Sequence, residues 1–215
     1  MTTSALDESR TDSDDDERPT AVLIGAGRAY TWLLVICAAL GTLASFVITD
    51  DKFKLLEDPG FKPACSLNPI ISCSNIMQSD QAHAFGFPNP MIGLMAYPVV
   101  MCLAIGMIAG ARYRPWFWLG LQAGTLFGVG FVTWLQYQSL YSIGSLCLWC
   151  SLAWVVTILM FWYTAVHNMK HGVIKVPAGA RALVLEFHWV VPVLWFGILA
   201  TLILARWWAY WKTLI

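Results

Sequence analysis

Residues Ala29 to Ile48 read AYTWLLVICAALGTLASFVI, twenty positions without one charged side chain. At about 1.5 Å of rise per residue, such a helix spans roughly 30 Å, the thickness of a bilayer's hydrocarbon core. The stretch is therefore a first transmembrane helix, and the polar run Asp50-Asp51-Lys52 closes it. The whole chain follows suit, being 58% hydrophobic and only 12% charged, with 12 tryptophans. Soluble domains carry about a quarter charged residues, so this composition marks a polytopic membrane protein. Four more apolar segments follow, at 91–110, 116–141, 146–166 and 188–210. The expected fold class is an all-α membrane protein. A four-helix transmembrane bundle is joined by a fifth transmembrane helix, and the loop after the first helix carries a short capping helix.

The stretches between these segments divide the chain. Residues 1–28 form an acidic tail, with Asp7, Glu8, Asp12, Asp14, Asp15, Asp16 and Glu17 crowded before position 18. It has too little apolar content to fold, and without a basic leading region it is no secretory signal peptide. Residues 29–166 hold the four-helix bundle, including a polar connection over 50–90. A structureless loop of that length is unusual, so it should carry structure of its own. Ser72 or Ser74 can cap a short helix over about 75–84 that ends at Gly86. A tight basic turn at 111–115 and a break at 142–145 separate the next helices. Residues 167–187 form a further loop and 188–215 the fifth helix. Trp116, Trp118, Trp207, Trp208 and Trp211 fall at segment ends, as in an interfacial aromatic belt.

Orientation follows from positive charge. Arg10, Arg18, Arg28, Arg112, Arg114, Lys170, Lys175 and Arg181 share one side; Lys52, Lys54, Lys62, Arg206 and Lys212 share the other. Eight against five makes the first side, with the N-terminus, cytoplasmic. The 50–90 loop and the 142–145 break then face outward together, in a cell membrane crossed several times. No basic stripe with interleaved aromatics exists, so no nucleic-acid partner is expected.

Chemistry is confined to cysteine. Cys147-Leu-Trp-Cys150 has the C-x-x-C spacing of thiol oxidoreductases, and positions three apart on a helix share a face. Ser145 is a plausible N-cap. Cys147 in the first turn would feel the positive end of the helix dipole, which favours its thiolate. Zinc is the competing use of C-x-x-C, but it would need Cys65 and Cys73, whose seven-residue gap is wide for a zinc knuckle. Cys65 and Cys73 alone read as a structural disulfide. A second dithiol on the same side makes disulfide exchange between the pairs the alternative. Cys37 and Cys102, near the middles of their helices, read as small core residues, with a transmembrane electron relay as the sharper alternative. His83 reads as a surface histidine on the capping helix, with Asp80 of similar status.

The run from Cys65 to Cys73, then Ser79, then Phe85-Gly86-Phe87-Pro88-Asn89-Pro90, then the later C-x-x-C resembles the vitamin K epoxide reductase family, in its bacterial, disulfide-forming branch. The resemblance covers residues 29–166. It implies that Cys147 and Cys150 are the membrane-embedded active-site pair, Cys150 facing a quinone. It implies that Cys73 exchanges with Cys147 and that Cys65 is open to an external thiol protein. Ser79 matches the family's loop serine, and Asn89 the asparagine that hydrogen-bonds a quinone carbonyl. Trp154 stands where vertebrate members carry a substrate-contacting tyrosine; it supplies a ring and one N–H but no hydroxyl.

The resemblance thus implies an integral-membrane thiol:quinone oxidoreductase that serves disulfide formation in exported proteins. Its acceptor would be menaquinone or ubiquinone, with no metal expected. Its thiol partner would be a separate thioredoxin-fold, DsbA-like protein, since no such domain follows the fifth helix here. Two alternatives stand beside it. One is a quinone-epoxide reductase, against which Trp154 argues. The other is a non-catalytic membrane protein with structural disulfides or a metal site.

Overall fold

The structure, a computed structural model, describes residues 22–58, 60–68 and 70–212. The tail expected before residue 22 lies outside the described residues. The described chain is helical: α1 (Arg28–Glu57), α2 (Cys73–Gln78), α3 (Pro90–Ile108), α4 (Pro115–Tyr137), α5 (Leu148–Lys170), α6 (Ala178–Glu186), α7 (Val190–Arg206) and α8 (Trp208–Trp211). A 3-10 turn at Asp80–His83 follows α2, and a π-helical turn at Gln138–Ile143 extends α4. Four helices are long and apolar enough to cross a membrane, and α6 with α7 makes a fifth span if that pair, bent by 64°, is taken as one. The chain is an all-α multi-pass membrane bundle.

Its first helix corrects the sequence reading. α1 does not close at Asp50-Asp51-Lys52 but continues to Glu57. Polar residues end an apolar run without ending a helix. Lys54 and Asp50 form an i,i+4 ion pair at 2.6 Å, while Ile48 and Leu55 stay buried against the cysteine loop. Thirty residues make a helix of about 45 Å, so its last turns stand beyond a hydrocarbon layer of about 30 Å. Those turns carry Asp51 and Lys52 up beside the loop.

α1 packs on α3 and on α5, and α5 packs on α4, while α3 and α4 barely touch. The α1–α3 seam is close at Gly41, where an added Cβ would lie 2.7 Å from the Tyr97 ring. At one end of the bundle, Ile24 and Tyr113 exchange backbone hydrogen bonds of 2.8 and 3.0 Å. Trp118 lies there fully buried, its Nε1 donating to the Ile24 carbonyl at 3.4 Å. It is thus a core residue rather than part of an interfacial belt; Trp116, two positions earlier, is the exposed one.

The opposite end holds the 58–89 connection. The expected single helix over 75–84 is instead α2 and the 3-10 turn, broken at Ser79, whose backbone is extended (φ −74°, ψ 152°). Ser72 caps α2, its hydroxyl accepting from the Asn75 N–H at 3.4 Å. Gly86 takes φ +81°, a left-handed value that favours glycine, and so turns the chain into α3. The 167–187 connection also differs from its reading as a loop, since α6 lies within it. Cys37 is buried, but Cys102 is exposed on α3 and is not a core residue.

Candidate active site

Two backbone contacts set the site. Leu146 N–H donates to the Ile70 carbonyl at 2.8 Å and Ser72 N–H donates to the Leu146 carbonyl at 2.9 Å. Through this parallel pairing of Ile71 with Leu146, the loop lies alongside the approach to α5. Asn68 braces the turn before it, its Oδ1 accepting from the N–H groups of Ile70 and Ile71 at 3.0 and 2.7 Å. Asn75 Nδ2 donates to Ser145 Oγ at 3.1 Å, and Ser139 Oγ donates to the Ser145 carbonyl. Beyond this pairing, Cys73 is the first residue of α2 and Cys147 lies just before α5.

Cys65 and Cys73 are joined in a disulfide, while Cys147 and Cys150 are free thiols. The Sγ atoms of Cys73 and Cys147 lie 3.0 Å apart, across 74 residues of chain. The sulfurs of Cys65, Cys73 and Cys147 all fall within 4.8 Å of one another. Two of the three are bonded together, so this set offers a single thiol. A thiol held against a disulfide sulfur is the geometry from which exchange proceeds.

Cys147 is itself the N-cap of α5, in extended conformation (φ −117°, ψ 126°), not a first-turn residue capped by Ser145. The pairing of Leu146 with the loop holds the backbone extended one residue further than the sequence suggests. The Cys150 N–H donates to Cys147 Sγ at 3.4 Å. A hydrogen bond from the Cys150 thiol, together with the backbone N–H groups of Cys150 and Trp149, holds the Cys147 thiol below its ordinary pKa despite burial.

Below the sulfurs lies a cavity of about 810 Å³, lined among others by Cys150, Trp154, Ser79, Asn89, Tyr97 and Lys52. The size suits a ring-bearing small molecule. α3 and α4 both contribute to its lining while packing little on each other.

The site residues expected from sequence therefore gather at one place, but not all in the expected roles. Cys65 is only 4% exposed and so is not open to a partner in this conformation; Leu55, Met77 and Phe61 pack around the cluster that contains it. Ser79 Oγ donates to the Ile76 carbonyl at 2.7 Å. Asn89 ties the loop to itself, Nδ2 donating to the Gln81 carbonyl at 2.7 Å and Oδ1 accepting from Ala84 N–H at 3.0 Å. One amide hydrogen remains for a ligand. Trp154 is buried in the cavity wall, in a cluster with Val132, Leu140 and Leu146 against which Leu199 and Ile203 of α7, Trp207 just after it and Tyr210 of α8 pack. His83 is part-exposed and borders the cavity.

Sequence reading missed two lining residues. Tyr97 shares a 2.7 Å hydrogen bond with Thr157 Oγ1 and brings a hydroxyl to the wall, which Trp154 lacks. Lys52 entered only as a charge, in the run taken to close the first span and in the count of positive residues on the outer side. For Tyr97 the available signal was a hydroxyl-bearing ring inside an apolar segment; for Lys52 there was none, since a lysine near the end of a span ordinarily snorkels to the interface.

Comparison with known proteins accords with this geometry. No curated protein matches the chain. The family model described as the vitamin K epoxide reductase family matches residues 32–165, from the first turns of α1 to near the end of α5, with every cysteine of the site. With more than half its length so matched, the chain belongs to the vitamin K epoxide reductase family.

Proposed function

We propose that the protein is an integral-membrane thiol:quinone oxidoreductase that reoxidises a thioredoxin-fold, DsbA-like partner and so supports disulfide formation in exported proteins. Family membership supports the coarser part, a membrane quinone-linked thiol oxidoreductase. The observation that carries the electron path is the 3.0 Å approach of Cys73 to Cys147, with Cys150 lining the cavity alongside.

The steps balance. A partner thiolate attacks Cys65, forming a mixed disulfide and releasing Cys73 as a thiolate; the partner's second thiol then displaces Cys65 and leaves oxidised. Cys73 attacks Cys147 of a Cys147–Cys150 disulfide and frees Cys150. Cys65 then re-forms its bond with Cys73, leaving Cys147 and Cys150 as thiols, the state described above. When these two thiols re-form their disulfide, two electrons and two protons pass to the quinone. The net change is partner dithiol plus quinone to partner disulfide plus hydroquinone. Because Cys65 is buried, the partner gains access when the segment around residues 60–68 lifts.

Ser79, Asn89 and Trp154 form the proposed quinone surround, and the sparse packing of α3 on α4 suits entry of a lipid-borne molecule between them. The charge asymmetry supports a cytoplasmic N-terminus with both cysteine pairs outside. Purified protein mixed with a reduced thioredoxin-fold oxidant and menaquinone or ubiquinone should consume one quinone per dithiol, followed by absorbance and thiol titration. Thiol loss without quinone reduction would sink the reading. A Cys150→Ala variant should accumulate a Cys73–Cys147 disulfide, visible by mass spectrometry.

A further inference from the structure

Among the described residues, Lys52 is the only Lys, Arg, Asp or Glu in the cavity lining. Its Nζ donates to the Met77 carbonyl at 2.7 Å, one of the C-terminal carbonyls that α2 leaves unpaired. No carboxylate partners it among the described residues: Asp50, two positions before it, is taken by Lys54 at 2.6 Å. Asp51 lies on the stripe of Ile48 and Leu55, which faces the cysteine cluster. Met77 and Cys150 pack in that same cluster, so Lys52 reaches the cysteine end of the cavity and not its far wall.

Lys52 is only part-buried at the loop end of the cavity, so its ammonium stays partly hydrated. It presents to that apolar space a positive charge able to stabilise an anion that forms there. Two of its three hydrogens remain after Met77 is satisfied. The neighbouring donors are less free, since Ser79 spends its hydroxyl hydrogen on Ile76 and Asn89 spends one amide hydrogen on Gln81.

We propose that Lys52 is a catalytic residue whose ammonium binds the quinone oxygen on which negative charge develops as Cys150 delivers electrons. The proposal rests on the quinone reading above. As the Cys147–Cys150 disulfide forms, both electrons and both thiol protons end on the quinone. Lys52 stabilises the oxygen as charge builds and stays protonated throughout, while the two protons released by the thiol pair pass to the quinone oxygens, so the residue is unchanged over the cycle.

The test uses full-length protein with a reduced thiol partner and a soluble short-chain ubiquinone. Lys52→Gln, which can keep a bond to Met77, should lower kcat for quinone reduction at least tenfold with a smaller change in KM. Lys52→Arg keeps the charge and should recover the larger part of the loss. A purely structural Lys52 is tested separately: combined with Cys150→Ala, Lys52→Gln should still trap the Cys73–Cys147 disulfide at the yield of Cys150→Ala alone. Unchanged kcat in Lys52→Gln overturns the proposal, and so does loss of the trap, which would make Lys52 only the tether of α2. If the parent enzyme itself reduces no quinone while its trap forms, the quinone reading fails, and this proposal falls with it.

Discussion

At the scale of single residues, the site works through what surrounds Cys147. Sulfur attacks as thiolate, and this thiolate is favoured chiefly by a hydrogen bond from the Cys150 thiol. A depressed pKa lets exchange begin at lower pH. In the trapping variants, Cys150→Ser keeps a donor and Cys150→Ala does not. The rise in Cys73–Cys147 trapping rate should therefore fall at higher pH in the Ala variant than in the Ser variant. A pH series of quenched trapping reactions measures both midpoints; coincident midpoints would remove Cys150 as the source of the shift. Asn89 teaches a different point. Its position was legible in the Pro88-Asn89-Pro90 run, but not that its amide is half committed to Gln81 and Ala84.

At the scale of elements, the close α1–α3 seam holds Tyr97 against the cavity. Gly41→Ala would put a Cβ 2.7 Å from the Tyr97 ring, an overpacking that should cost about 1–3 kcal/mol. Gly130→Ala meets nothing within 4 Å and should stay neutral or gain slightly from helix propensity, by less than about 1 kcal/mol. Unfolding in mild detergent compares the two, and equal stabilities would refute a tight seam. The length of α1 matters as much. Its turns beyond Ile48 hold Lys52, and a hydropathy reading that stops at the first charges cannot see them. The end of α7 also reaches the site's outer rim, where Arg206 Nε donates to the Leu140 carbonyl at 2.9 Å.

At the scale of the whole molecule, the cavity and the sulfur relay are separable. Gly124 lines the cavity with nothing within 4 Å of an added Cβ. Gly124→Trp should fill space meant for substrate and raise the quinone KM at least tenfold, a loss of about 1.4 kcal/mol or more in binding. Disulfide trapping, measured beside it in the Cys150→Ala background, should persist. Orientation has its own check. Lys62 and Lys175 are both exposed, at opposite ends of the bundle. In intact cells, an impermeant maleimide should label Lys62→Cys and leave Lys175→Cys unlabelled until the membrane is opened. The reverse pattern would invert the proposed topology.

The apolar spans, their number and the two cysteine pairs could be read along the chain, because transfer of a helix into lipid depends on local composition added over about twenty residues. The family's motifs could be read for the same reason, as residue types at fixed spacing. Tertiary structure alone decided that Cys73 meets Cys147 at 3.0 Å, that Cys65 is covered and that Lys52 enters the cavity. Those facts depend on the pairing of Ile71 with Leu146 and on a helix that outruns its apolar segment. Contacts across 74 residues are settled by loop closure and packing, which no local pattern encodes.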